Sequence, residues 1–318
     1  MANIVTRPEW YLPESQVTSE GDYRNRRQFL KSVGGVGCGL AALSGGGALS
    51  ALGQEVQGQA RKTRYPAKRN PDFNPDWELT EEAVSGSYNN FYEFSLIKER
   101  VKMLTGKFVT DPWSIEVEGL VEKPITLRLE DILKAVDLEE RVYRFRCVEA
   151  WSMIVPWTGF PLSKLIAMAK PKPEAKFVRF ETFNRPDQAP GMRDPSYPWP
   201  YFEGLRMDEA MHPLTMAATG IYGKVMPKHF GAPIRLVVPW KYGYKSIKSI
   251  VKMQFLDKQP KTFWEVLNPR EYPFLSNVNP AVPHPRWSQR TERLIGTNRR
   301  QRTKLYNGYA DQVAKLYA

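Results

Sequence analysis

Soft sulfur is scarce in this chain: Cys38 and Cys147 are the two cysteines among 318 residues. Cys147 stands in Arg146-Cys147-Val148-Glu149-Ala150-Trp151-Ser152-Met153, followed by Val155-Pro156-Trp157-Thr158-Gly159. A lone thiol of this kind either fills space as a small apolar residue or, as a thiolate, holds a metal. The histidines are His212, His229 and His284, two of them beside proline and none at zinc spacing from another ligand, so structural or surface roles are expected. No nucleophile elbow, phosphate loop or dinucleotide fingerprint is present, because Gly34-Gly35-Val36-Gly37 follows no strand pattern. Neither a Cys-x-x-Cys-His haem motif nor iron–sulfur spacing occurs. If the chain does redox chemistry, its electrons come from a partner.

The elements around Cys147 follow from periodicity. In Arg141 to Val148 a period of two puts Tyr143, Phe145 and Cys147 on one face and Arg144 and Arg146 on the other, so Cys147 ends a strand beside aromatic neighbours. The arginines, on the far face, are not expected to activate the thiol. Ile115 and Val117 alternate with Ser114 and Glu116, and Ile125 to Leu129 forms a second strand after a turn. Short helices are expected around Glu130 to Val136 and Met207 to Met211, a longer one from Pro161 through Lys170, and a last one near Tyr309 to Tyr317. Further strands are expected over Lys176 to Phe183, Pro233 to Pro239 and Ser249 to Leu256, with the basic aromatic loop Trp240 to Lys248 between the last two. Many short strands, few helices and long Pro-rich loops describe a mixed α+β domain.

Asn25-Arg26-Arg27-Gln28-Phe29-Leu30-Lys31, followed by an uncharged run from Ser32 to Gln54, has the form of a twin-arginine export signal. Its seven glycines between Gly34 and Gly47 make it too weakly apolar for a membrane span. We therefore expect a signal over residues 1–60, a Pro-rich basic linker over 61–77 and a catalytic domain over 78–318, exported to the periplasm with no transmembrane segment of its own. Removal of Cys38 with the signal would leave Cys147 without an internal disulfide partner in an oxidising compartment. A net charge of +12 permits an anionic partner without naming one. A cofactor-free basic binding protein is the non-enzymatic alternative, which would show steeply salt-dependent binding and no metal; nucleic acid is not the expected partner.

The Cys147 motif resembles that of the sulfite-oxidase-type molybdopterin domain, and more closely its methionine-sulfoxide reductase branch. The likeness extends over Asn89-Asn90-Phe91-Tyr92-Glu93, Phe180-Glu181-Thr182, Glu209 to Leu214, Gly231 to Arg235, Tyr242 to Lys248 and Pro285 to Gln289. It implies a strand-rich, sulfite-oxidase-like fold with Mo-molybdopterin as cofactor. Cys147 would be the metal ligand and catalytic residue, and Asn89, Tyr92, Glu93, Thr182, Arg235, Ser246, Ile247 and Lys248 would hold the pterin and its phosphate. Cationic donors at Arg235 and Lys248 suit a phosphate, and Asn89 and Thr182 suit ring nitrogens. Family members often carry Asn where Phe230 stands, so a side-chain amide contact is expected to be lost there. Glu149 and Trp151 would shape the pocket or serve as structural groups. The resemblance further implies reduction of methionine sulfoxide in periplasmic proteins with electrons from a membrane haem subunit. Sulfite oxidation or reduction of small S- and N-oxides are the alternatives within the same cofactor class.

Overall fold

The computed structural model describes residues 64–75, 77–297 and 299–318. The expected export signal lies outside these residues. The described chain forms strands β1 (Ser114–Gly119), β2 (Ile125–Arg128), β3 (Glu139–Arg146), β4 (Trp151–Pro161), β5 (Phe177–Thr182), β6 (Phe202–Arg206), β7 (Met216–Ile221), β8 (Lys224–Val225), β9 (Arg235–Val237), β10 (Ile250–Leu256), β11 (Thr291–Leu294) and β12 (Arg300–Arg302). Short helices intervene: α1 (Glu82–Gly86), α2 (Val101–Leu104), α3 (Leu129–Ala135), α4 (Leu162–Ala169), α5 (Met207–Met211), α6 (Phe263–Leu267) and α7 (Ala310–Val313). The class is mixed α+β and strand-rich, as the sequence predicts.

Two sheets carry the domain. One has five strands in the order β2-β1-β10-β5-β6, and the other runs β12-β11-β4-β7-β8, with β3 also paired to β4 and β9 to β7. The elements read from alternation are found where expected: Ile115 and Val117 point inward from β1, and Val178, Phe180 and Thr182 from β5. Periodicity does not reveal β6, β8, β11 or β12, nor the central strands β4 and β7. Every residue of β7 is buried, and so is all of β4 except Pro161, so neither has a polar face to alternate with. β4 lies at the centre of its sheet, with β3, β7 and β11 all pairing along it. Gly159 sits at a register shift between β4 and β7, where a Cβ would lie 2.1 Å from the Ala217 carbonyl oxygen; only glycine admits that approach.

Residues expected to form a linker are docked onto the domain from Arg64 onward. The Asn70 amide donates to the Glu140 carbonyl at 2.8 Å, Arg69 pairs with the Glu140 carboxylate at 2.7 Å, and the Tyr65 hydroxyl donates to Thr219 Oγ1 at 2.7 Å. An extended, Pro-rich segment has free backbone groups that a neighbouring strand can pair, so its lack of apolar period does not keep it off the surface. The histidines take structural positions: His284 stacks on Trp287 with 3.8 Å between centroids, and burial lowers the pKa of His229 to about 4.

Both faces of β3 are buried. The face that carries Arg144 and Arg146 is therefore not solvated; it is neutralised by Glu292 on β11. Arg144 Nη2 lies 2.9 Å from Glu292 Oε1 and Arg146 Nε 2.9 Å from Oε2, with the Arg146 and Glu292 side chains wholly inaccessible. Glu292→Gln removes the carboxylate that, among the described residues, offsets these two guanidinium groups, and the expected loss is about 3–5 kcal/mol. Urea unfolding would measure it; a loss below about 1 kcal/mol would show that the charges are compensated in another way.

Candidate cofactor site

β3 and β4 form a hairpin in register from Glu139↔Gly159 to Arg146↔Ser152, and Cys147 is the first residue of its tip. The tip is tightly closed. The Cys147 amide donates to the Trp151 carbonyl at 2.9 Å, the Ala150 amide donates to the Cys147 carbonyl at 3.2 Å, and Ala150 takes a left-handed φ of 60°. Arg146 donates to the Cys147 carbonyl and, through Nη2, to Gln289 Oε1 at 2.7 Å, tying the tip to the C-terminal segment. The thiol thus projects from a braced turn, with Phe145 beside it in the wall.

The sulfur lies in the wall of a cleft that opens to solvent at its mouth. Around it stand Asn89, Tyr92, Glu93, Arg235, Ser246, Ile247 and Lys248, so seven of the eight residues read as cofactor-binding share a cleft with Cys147. Thr182 does not line it. Its hydroxyl donates to the Ser249 carbonyl at 3.2 Å, bracing the chain just after Lys248 from behind. The Ser246 hydroxyl accepts the Val238 amide at 3.0 Å and so helps to fix its own loop.

The far end of the cleft concentrates buried positive charge. Arg235 is fully enclosed and spends its donors on carbonyls of Phe230 at 2.7 Å, Ser246 at 3.0 Å and Leu236 at 3.1 Å, with no carboxylate among them; burial lowers its pKa to about 9. Lys248 donates to the Asn90 carbonyl at 2.6 Å, and burial together with the Arg235 charge holds its pKa well below 10.5. Glu93 is the acid that faces Lys248, and its own carboxyl is pushed upward by burial. Gly231 makes room for this arrangement: its φ of 104° and the Lys248 stem, 2.7 Å from where a Cβ would be, both require glycine. Phe230 turns its ring into the core against Trp157 and offers Arg235 its backbone carbonyl. No side-chain amide reaches the cleft from that position.

Near the sulfur the groups are acidic and amide-bearing. Asn90 Nδ2 lies 3.2 Å from Cys147 Sγ and 3.3 Å from Glu149 Oε2, and the Trp151 indole donates to the same carboxylate oxygen at 3.2 Å. Lys98 pairs with Glu149 at 3.1 Å. Burial first, and then the Glu149 carboxylate, push the Cys147 thiol up to about 12; Arg146 and Lys98 pull it back less. Two amide oxygens, Asn89 Oδ1 and Asn90 Oδ1, are buried with no hydrogen-bond partner among the described residues. Such orphaned acceptors, beside two buried cations faced by the single carboxylate of Glu93, fit a ligand that carries both N–H groups and negative charge. Asn90, Tyr88, Tyr244, Trp264 and Tyr272 also line the cleft and were not singled out from sequence. Asn90 and Tyr244 lie within motifs of the family likeness and Tyr88 directly precedes one; Trp264 and Tyr272 come from distant loops and gave no local signal.

With this geometry in view, the comparisons are decisive about class. Residues 103–264 match the family described as the oxidoreductase molybdopterin binding domain. The chain is 50% identical over 313 residues, 96% of its length and 95% of the relative's, to the protein-methionine-sulfoxide reductase catalytic subunit MsrP of Xanthomonas campestris pv. campestris. It is 49% identical over 314 residues to the protein of that name in Xanthomonas axonopodis pv. citri, covering 96% of this chain and 95% of that one. With the Burkholderia mallei protein it shares 46% over 310 residues, 96% of this chain and 93% of that one. The chain belongs to the oxidoreductase molybdopterin-binding family and, within it, to the MsrP catalytic subunits; it is a molybdopterin-dependent oxidoreductase.

A lysine whose folded pKa is lowered is protonated more readily in the unfolded chain, so its contribution opposes folding below the folded value and fades as pH rises to 10.5. Cofactor-free Lys248→Met is therefore expected to be more stable than the wild type at pH 8, with the gap narrowing toward pH 10. Urea titrations of both proteins across that range provide the measurement. A gap that is constant or widens would show that Lys248 carries no buried-charge cost.

Proposed function

We propose that the chain reduces methionine sulfoxide in periplasmic proteins, consuming two electrons and two protons to give the thioether and water, with electrons delivered by a membrane haem protein. The observation that carries this reading is a single thiol, on a braced hairpin tip, facing a cleft whose far end holds buried cations lacking an anion of matching charge. Cys147 would hold molybdenum and the remaining cleft residues the pterin. When bound, the molybdenum centre supplies two-electron redox capacity and oxygen-atom transfer chemistry.

The chain's own residues set the conditions. A thiol raised to about 12 is protonated in the free protein, so metal binding releases its proton and fixes a soft sulfur donor in place. The buried cations Arg235 and Lys248 suit a phosphate, and the unpaired oxygens of Asn89 and Asn90 suit N–H groups of a ring system, which supports this assignment. Glu149 is held by Lys98, Trp151 and Asn90, which keeps an ionised carboxylate beside the sulfur, 3.6 Å from it. Tyr88, Trp151, Trp264 and Tyr272 line the cleft with aromatic surface suited to a polarisable methyl-sulfur group.

The test uses protein recovered from the periplasmic fraction of cells with intact twin-arginine export. It is expected to carry close to one molybdenum per chain and no haem, and to reduce methionine sulfoxide in a peptide with reduced benzyl viologen while oxidising sulfite negligibly. Metal-free protein in that fraction, haem bound stoichiometrically to the chain, or sulfite oxidation faster than sulfoxide reduction would contradict the reading.

A further inference from the structure

β11 and β12 pair antiparallel with Arg293 opposite Arg300 and Thr291 opposite Arg302. The intervening Glu292 turns inward to Arg144 and Arg146, and Gln301 follows it to donate to Glu292 Oε1 at 2.8 Å. Arg293, Arg300 and Arg302 therefore share the opposite face, and all three are exposed. Of the acids beside them, Glu292 is buried and Glu78 sits 3.8 Å from Arg299. No ion pair among the described residues involves Arg293, Arg300 or Arg302. Like charges directly opposite in a strand pair are destabilising. Charge on an edge strand discourages strand addition, which accounts for a cation on β12 but not for one set against Arg293 on its partner.

This face adjoins the route to the sulfur. β11 runs parallel to β4 with Arg293 opposite Trp151, its amide donates to the Ala150 carbonyl at 2.9 Å, and its guanidinium lies over the ring of Tyr88 at the cleft. Just upstream of the hairpin, the half-buried Trp287 donates its indole N–H to the Val148 carbonyl at 2.8 Å. One ring thus joins the surface to the residue next to Cys147. Among the described residues Cys147 is the one cysteine, and no other cluster of metal-binding side chains exists, so a second redox centre is not found along the way.

We propose that the arginine face of the β11–β12 hairpin docks an acidic patch of a one-electron donor protein, and that electrons enter through Trp287 and the Val148–Cys147 segment. This rests on the reductase reading above. The donor is oxidised by one electron at each docking, and two dockings supply the pair consumed with two protons per sulfoxide.

The experiment compares the wild type with Arg300→Glu/Arg302→Glu, two residues outside the cleft, using the molybdenum-loaded enzyme. Methionine sulfoxide turnover is driven either by reduced benzyl viologen or by reduced flavodoxin, an acidic one-electron protein. The viologen rate is expected to stay within about twofold, while flavodoxin-driven kcat/KM falls about tenfold or more and loses most of its salt dependence. Trp287→Phe is expected to keep the flavodoxin affinity and lower the flavodoxin-driven kcat. A binding titration with oxidised flavodoxin needs no turnover and reads the same face. Equal flavodoxin binding and turnover by the double variant would overturn the proposal, as would failure of the wild type to accept flavodoxin. Loss of binding to anionic lipid vesicles alone would assign the face to a membrane and overturn it too. Absence of viologen-driven turnover in the wild type would instead count against the reductase reading.

Discussion

The guanidinium groups of Arg144 and Arg146 share the carboxylate of Glu292 where water has no access, and Arg146 extends the same contact to the Cys147 carbonyl and to Gln289. Three parts of the chain meet there: the hairpin strand β3, the C-terminal strand β11 and the segment leading into it. Burying such charges costs desolvation free energy that mutual attraction only partly offsets, so the arrangement contributes fixed geometry more than stability. Its consequence is positional. The residue that follows Arg146 presents its sulfur from a turn closed by its own amide and carbonyl, and the peptide behind it cannot shift without breaking an enclosed ion network.

The cleft follows an opposite electrostatic rule at its far end. Arg235 and Lys248 are enclosed without carboxylates of matching number, and the glycine at position 231 exists in a conformation that lets the Lys248 stem lie against it. In the free protein this raises the energy of the folded state; with an anionic ligand the same groups become charge-assisted donors in a place of low dielectric. Stability withheld from the free protein reappears as affinity. The orphaned oxygens of Asn89 and Asn90 belong to the same pattern, being acceptors in search of N–H donors.

Much of this was legible in the residues themselves. The alternation in Arg141 to Val148 placed Cys147 at a strand end beside Phe145, and separated motifs brought seven cofactor-binding candidates to one cleft. What alternation could not show is the centre of the second sheet, because β4 and β7 are buried on both faces and carry no period of two. Nor could it show what surrounds Arg144 and Arg146: alternation puts them on the face of β3 opposite the thiol, but the carboxylate that neutralises them comes from a residue more than a hundred positions later, and Arg146 lowers the thiol's pKa somewhat, against the expectation that these arginines would not. Thr182 shows the reverse. Its place in a shared motif marked it for the pterin, while its hydroxyl braces the backbone behind Lys248. Rings such as Trp264 and Tyr272 reach the cleft from loops whose paths only the tertiary fold determines.

The central claim is that the sulfur of Cys147 is a ligand of molybdenum, held there by the hairpin tip. X-ray absorption at the molybdenum edge of the exported enzyme counts sulfur neighbours directly, and Cys147→Ser changes the side chain little in size. The account expects the wild type to show one more sulfur in the first coordination shell than the serine variant, with pterin retained in both. Identical sulfur counts in two proteins that are both loaded with metal would contradict it.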